Sequence, residues 1–178
     1  MAAYVALLRG IAPTNPNMRN EKLRKTFESL GFTHVETVIA SGNVLFETRS
    51  KNIKKLELDI EKTLLKQLGF TSTTIIRSKE EIASLIKKNP FKGLVHGPSS
   101  SLNITFLKSA SRKKVAFPYH APGYRVLGSY DRALASVVDL TGAKTPDLMR
   151  WMEKGFGKEI TTRTWKTVER LHKKLAEY

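Results

Sequence analysis

Leu30-Gly31-Phe32-Thr33 and Leu68-Gly69-Phe70-Thr71 repeat one short pattern, and that repetition decides the fold. Each stretch closes a helical run and opens a β-rich one. Before the first, residues 19–30 place Leu23, Phe27 and Leu30 at helical spacing, with Gly31 in the position of a C-cap. Before the second, residues 52–68 repeat Ile53, Leu56, Ile60, Leu64 and Leu68, closed by Gly69. Working outward, residues 4–9 form an apolar run bounded by Gly10, which reads as a buried strand. Residues 35–39 and 44–47 are short β-rich runs joined by the turn Ser41-Gly42-Asn43, and residues 73–77 are a further strand. Ser78 and Glu81 have the spacing of a capping box, which opens a helix to about Lys87. The resulting order, βαββαβ, is that of a ferredoxin-like domain.

Residues 88–101 read as a loop, and the stretch 91–101 is the expected linker between a domain over 1–90 and a second over 102–178. In the second part, residues 102–107 read as a strand and 108–123 as irregular. Residues 124–127 and 134–140 are further strands. Thr145-Pro146-Asp147 has the form of a helix start. The last helix is expected over about 162–176, burying Trp165, Val168, Leu171 and Leu175. The expected class is therefore α+β: a ferredoxin-like βαββαβ N-terminal domain followed by a smaller α+β C-terminal domain ending in an amphipathic helix.

Composition limits the chemistry. The 178 residues contain no cysteine, which excludes disulfides, Cys-ligated zinc, iron–sulfur clusters and thiol nucleophiles. His34, His96, His120 and His172 are scattered without metal-ligand spacing. His120, in a stretch that reads as a loop, is the best lone general base, but an exposed loop histidine is the favoured reading. Glu57, Asp59 and Glu61 account for the polar face of one helix, and Glu80 and Glu81 for a helix start. No nucleophile elbow, phosphate-binding loop or dinucleotide fingerprint occurs. No cofactor and no metal are expected. No run has the length of a transmembrane helix, and the first residues lack the basic start of a signal peptide, so a cytoplasmic location is the expectation.

The charge is the strong global signal. Lys and Arg number 31 against 16 Asp and Glu, a net +15 divided about evenly between the two halves. Such a surplus fits a polyanionic partner, nucleic acid above all, and equally fits a solvated cationic surface. Base stacking on the sheet, as in RNA-recognition motifs, has only Tyr4 and Phe46 as candidates, and Val44 shares the face of Phe46 as a core residue does.

Three segments are candidates for an anion site, although a surface loop stiffened by two prolines is the favoured reading of the first and turn geometry alone explains the second. Arg9 ends the first strand and leads into a loop with Asn15 and Asn17. Asn43 closes the turn after Gly42. Thr161-Thr162-Arg163-Thr164-Trp165-Lys166 reads as the start of the last helix, where free N–H groups favour an anion and cations are out of place for any other reason.

The opening Tyr4-Val5-Ala6-Leu7-Leu8-Arg9-Gly10-Ile11 and the passages Leu30-Gly31-Phe32 and Ser41-Gly42-Asn43-Val44-Leu45-Phe46 resemble a bacterial family known only as a domain of unknown function. So does the closing Thr162-Arg163-Thr164-Trp165-Lys166-Thr167-Val168. The resemblance covers nearly the whole chain and implies a ferredoxin-like N-terminal domain with a second α/β part. It implies no activity. The chain departs from the family's pattern in its first loop, Ala12-Pro13-Thr14-Asn15-Pro16-Asn17, and in Thr164-Trp165-Lys166, where the family carries Asn-Trp-Asn.

The leading expectation is a cytoplasmic bacterial protein that binds a polyanion such as nucleic acid through Lys/Arg–phosphate contacts. The competing expectation is an enzyme or sensor for a small anionic ligand held between the domains by Arg9, Asn43, Thr162, Arg163 and Lys166. A third is a homodimeric interaction module without a ligand.

Overall fold

The computed structural model describes residues 1–142 and 147–178. It is a mixed α+β structure with two antiparallel sheets and, among the described residues, five α-helices. The chain divides into two compact units, Met1–Ile82 with Leu171–Tyr178, and Ala83–Arg170. Residues 91–101 lie within the second.

The first unit contains β1 (Ala2–Leu8), α1 (Asn20–Ser29), β2 (Thr33–Thr37), β3 (Asn43–Thr48), α2 (Ile53–Leu68) and β4 (Thr74–Ser78) in that order. Its strands lie side by side as β2-β3-β1-β4. Register follows from period-two alternation: Tyr4 pairs with Phe46, and Ala6 lies between Val44 and Ile76. Those residues form one face, covered by Leu23 and Phe27 of α1 and by Leu56, Ile60 and Leu64 of α2. Phe46 is the centre, with Phe32 stacked at 4.5 Å and Tyr4 and Phe27 each at 5.7 Å. Tyr4 and Phe46 are thus core residues, unavailable for stacking on bases.

The helix ends follow their sequence signals. Asn52 accepts from the Lys55 N–H at the start of α2, and Gly69 ends it in the left-handed conformation. Ser78 and Glu81 make both reciprocal bonds of a capping box, at 3.1 and 2.8 Å, before α3 (Lys79–Lys88).

Glu57 and Glu61 correct the sequence reading. They do not simply decorate a polar helix face. β4 is an edge strand whose outward amides need acceptors, and the N–H groups of Ile76 and Thr74 donate to Glu57 (3.0 Å) and Glu61 (2.8 Å). Glu57 is buried to 3% exposure for that reason.

The second unit is built on β5 (Ser100–Leu107), β6 (Tyr119–Ala121), β7 (Tyr124–Ser129), β8 (Ala133–Asp139) and β9 (Ile160–Thr164), in the order β6-β7-β8-β5-β9. The expected irregular stretch 108–123 therefore contains a short edge strand, on which His120 is exposed. Helix α4 (Leu148–Phe156) sets Leu148 and Met152 against Leu107, Val126, Leu134 and Ile160 of the sheet. The expected start of this helix at Thr145-Pro146 lies outside the described residues. Helix α5 (Trp165–Leu175) closes the list of elements.

Candidate functional site

Arg9 and Asn43 sit at one end of the first sheet. The Leu8 N–H donates to the Gly42 carbonyl at 2.8 Å, which joins the loop after β1 to the turn before β3. Gly42 holds φ +76°, and a Cβ there would lie 2.6 Å from Ile11 Cγ1, so only glycine fits the junction. Around Arg9 the backbone is fixed on both sides: its N–H donates to Thr73 O (3.0 Å), and its carbonyl accepts from the Ser72 hydroxyl (2.8 Å). The Asn43 side chain is buried and donates to Val38 O and Ser41 Oγ, each at 2.9 Å. These bonds fold the turn itself.

Thr162 and Arg163 are not on a helix. They belong to β9, paired with β5 as Thr105↔Thr162 and Ile104↔Arg163, so their side chains leave opposite faces of the sheet. Helix α5 begins only at Trp165, and the Thr164 hydroxyl accepts from the Thr167 N–H at 3.3 Å to cap it. Arg163 therefore does not lie at the positive end of a helix dipole. Pairing with β5 prevails over the polar, threonine-rich look of the segment, because unpaired strand amides beside β5 are costlier than low apolar content. Thr162 shares a 2.8 Å hydroxyl hydrogen bond with Thr105. The Arg163 guanidinium is buried and donates to Thr161 Oγ1 (2.7 Å) and Thr162 O (2.9 Å). Burial lowers its pKa to about 10, which leaves it a cation at neutral pH. Lys166 is exposed on the first turn of α5. Arg9 and Asn43 thus belong to the first unit, and Thr162, Arg163 and Lys166 to the second.

A cluster that sequence spacing did not single out lies in the second unit. Tyr119 of β6 stacks on Trp151 of α4, with centroids 4.7 Å apart and planes inclined by 24°. Phe156 lies 5.8 Å from Trp151, and Tyr124 6.3 Å from Tyr119. Tyr119, Trp151 and Phe156 are half-buried, while Tyr124 is buried and its phenol pKa is raised, chiefly by desolvation. The loop carrying Arg112-Lys113-Lys114 runs beside them: Lys113 Nζ lies 6.0 Å from the Phe156 ring centroid. Arg112, Lys113 and Lys114 are exposed, and among the described residues none is in an ion pair. Arg150 and Lys154 project from the same helix as Trp151, both exposed, with Asp147 3.6 Å from Arg150. The one signal in the sequence is the basic run 112–114 followed by Phe117-Pro118-Tyr119.

The first unit has a cleft of about 420 Å³ lined by His34, Val35, Glu36, Glu47, Glu177 and Tyr178. The Tyr178 hydroxyl donates to His34 O (2.8 Å), Lys79 Nζ donates to Tyr178 O (2.7 Å), and Lys174 pairs with Glu36 (3.0 Å). Desolvation first, and then Glu36, Glu47 and Glu177, push the Tyr178 phenol up to about 12. Among the described residues no group of His, Asp or Glu could hold a metal ion, and no helix is long and apolar enough to cross a membrane.

Residues 1–122 match the family described as protein of unknown function DUF1697. The chain belongs to that family. A search of curated proteins returns no match. Among solved structures, the chain is similar to a conserved bacterial protein, SP0830 from Streptococcus pneumoniae, at 17% identity, with a TM-score of 0.72 over 99% of each chain. At that identity the likeness is one of fold.

Proposed function

We propose that this DUF1697 protein binds a polyanion, nucleic acid, through Lys/Arg–phosphate contacts made by its second unit. One observation carries the reading. The exposed run Arg112-Lys113-Lys114 is held beside α4, where Arg150 and Lys154 are also exposed, and Lys113 over Phe156 fixes that neighbourhood. Residues 108–158 carry ten Lys or Arg against four Asp or Glu, so the local surplus matches the sign of the net +15. Clustered cations release condensed counterions when they meet phosphates, and that release drives association.

We also read the first unit as a ferredoxin-like domain. Its element order β1-α1-β2-β3-α2-β4 and spatial order β2-β3-β1-β4 support that reading. The chain is read as a two-domain, cytoplasmic protein, with the division into two compact units in favour of two domains. A small-anion site at Thr162, Arg163 and Lys166 has less support, since the Arg163 guanidinium already donates to Thr161 and Thr162.

The test is fluorescence anisotropy with labelled single- and double-stranded DNA and RNA at roughly 50 and roughly 200 mM salt. Saturable binding with a steep salt dependence is expected. Absence of binding at the lower salt refutes the reading.

A further inference from the structure

The aromatic cluster beside the basic loop has a chemistry that phosphate contacts alone do not use. We infer that Tyr119 and Trp151 form a stacking platform for unpaired nucleobases, so that the polyanion is single-stranded nucleic acid. This rests on the polyanion reading proposed above and adds to it.

Three observations converge. First, the rings are held in place. Tyr119 is anchored in β6 through its pairing with Val126, and Trp151 rides on the turn of α4 whose neighbours Leu148 and Met152 are buried against the sheet. Rings fixed by a core lose little freedom when a base stacks on them. Second, they are not fully covered. Tyr119, Trp151 and Phe156 all keep solvent-exposed surface, and β6 is the outermost strand of its sheet. Third, exposed cations sit on the loop and the helix beside the rings, with Lys113 Nζ 6.0 Å from the Phe156 ring centroid. Arg112, Lys113 and Lys114 come from the loop, and Arg150 and Lys154 from α4, one position before and three after Trp151. Cations close to aromatic faces can hold a phosphate backbone while bases stack.

The strand must be single. In a duplex the base faces are already stacked on one another, and only their edges reach the grooves. An aromatic face gains nothing from those edges. Every base has a π-face, so the platform is expected to tolerate any sequence. A purely acidic protein partner would use the cations and leave the rings idle.

The experiment compares two labelled strands of equal length and phosphate count, one of oligothymidine and one abasic, against the intact protein. The base-bearing strand is expected to bind roughly tenfold tighter or more. Trp151→Ala should remove that preference and leave abasic binding and its salt slope in place. Trp151→Phe, which keeps a ring and most of the volume, should retain the preference. Equal affinity of the wild-type protein for the two strands overturns the platform and leaves the phosphate reading standing. Failure of both strands to bind overturns the two together.

Discussion

Replacing Arg112, Lys113 and Lys114 together by alanine separates a localised phosphate site from a diffuse cationic surface. Five exposed cations lie on the loop and helix beside the aromatic cluster: these three, Arg150 and Lys154. If each meets one phosphate, the logarithmic salt slope for a single strand is about −3.5, and the triple variant lowers its size to about 1.4. Between roughly 50 and roughly 200 mM salt, affinity should fall about 100-fold for the wild type and only about sevenfold for the variant. The three side chains are exposed and in no ion pair among the described residues, so the variant should keep its fold and lose only the Lys113–Phe156 contact, and circular dichroism melts serve as the check. The control is Lys51→Ala, Lys54→Ala and Lys62→Ala on the first unit. It removes the same charge from exposed positions elsewhere. Titration by anisotropy at four or more salt concentrations gives the slopes. If both triple variants flatten the slope equally, binding comes from the net charge and the localised site is wrong.

Three further outcomes follow from the geometry. Glu57→Ala leaves the buried Ile76 N–H without its acceptor and should lower stability by about 2 kcal/mol in urea unfolding, while Glu57→Gln keeps an oxygen there and costs less. An equal loss in both would mean that the carboxylate's charge, and not its acceptor role, matters. Ser136 is fully buried, and its hydroxyl has no partner among the described residues, so Ser136→Ala should raise stability by about 1 kcal/mol with an unchanged m-value; a lower midpoint contradicts the assignment. The Tyr178 phenol has a folded-state pKa of about 12, raised mainly by burial, above the ordinary value of 10.0. The folded state therefore favours the neutral phenol. Its contribution is complete below the unfolded value and is lost as pH rises through about 12. Spectrophotometric titration of Tyr178→Phe should lack one phenol from the latest part of the wild-type curve, and loss of an early-titrating phenol would contradict the burial of Tyr178 against His34.

Much of the first unit was legible because its signals are local. Leu56, Ile60 and Leu64 repeat at helical spacing and face the sheet, and Gly31 and Gly69 take the positive φ that their positions announce. The capping box at Ser78 is complete within four residues. β9 was not legible as a strand. Thr161-Thr162-Arg163-Thr164 has no apolar alternation, and its burial comes from pairing with β5, far away in sequence. Glu57 misled for the same reason, since a carboxylate on a helix looks solvated until the edge amide it serves is known. The candidate sites divided along this line. Asn43 and Gly42 were recognisable as a turn. The pairing of Tyr119 with Trp151 was not, because a hairpin, a strand and the start of α4 separate them, and no periodicity links a short edge strand to a helix.

The most direct test of nucleic-acid binding by the second unit is photocrosslinking of a bromouracil-substituted single strand, with the crosslinked peptides identified by mass spectrometry. Crosslinks are expected in peptides from residues 108–124 and 147–158, which hold the basic loop, Tyr119 and Trp151. Crosslinks confined to residues 1–82, or none at saturating strand, would contradict binding by the second unit.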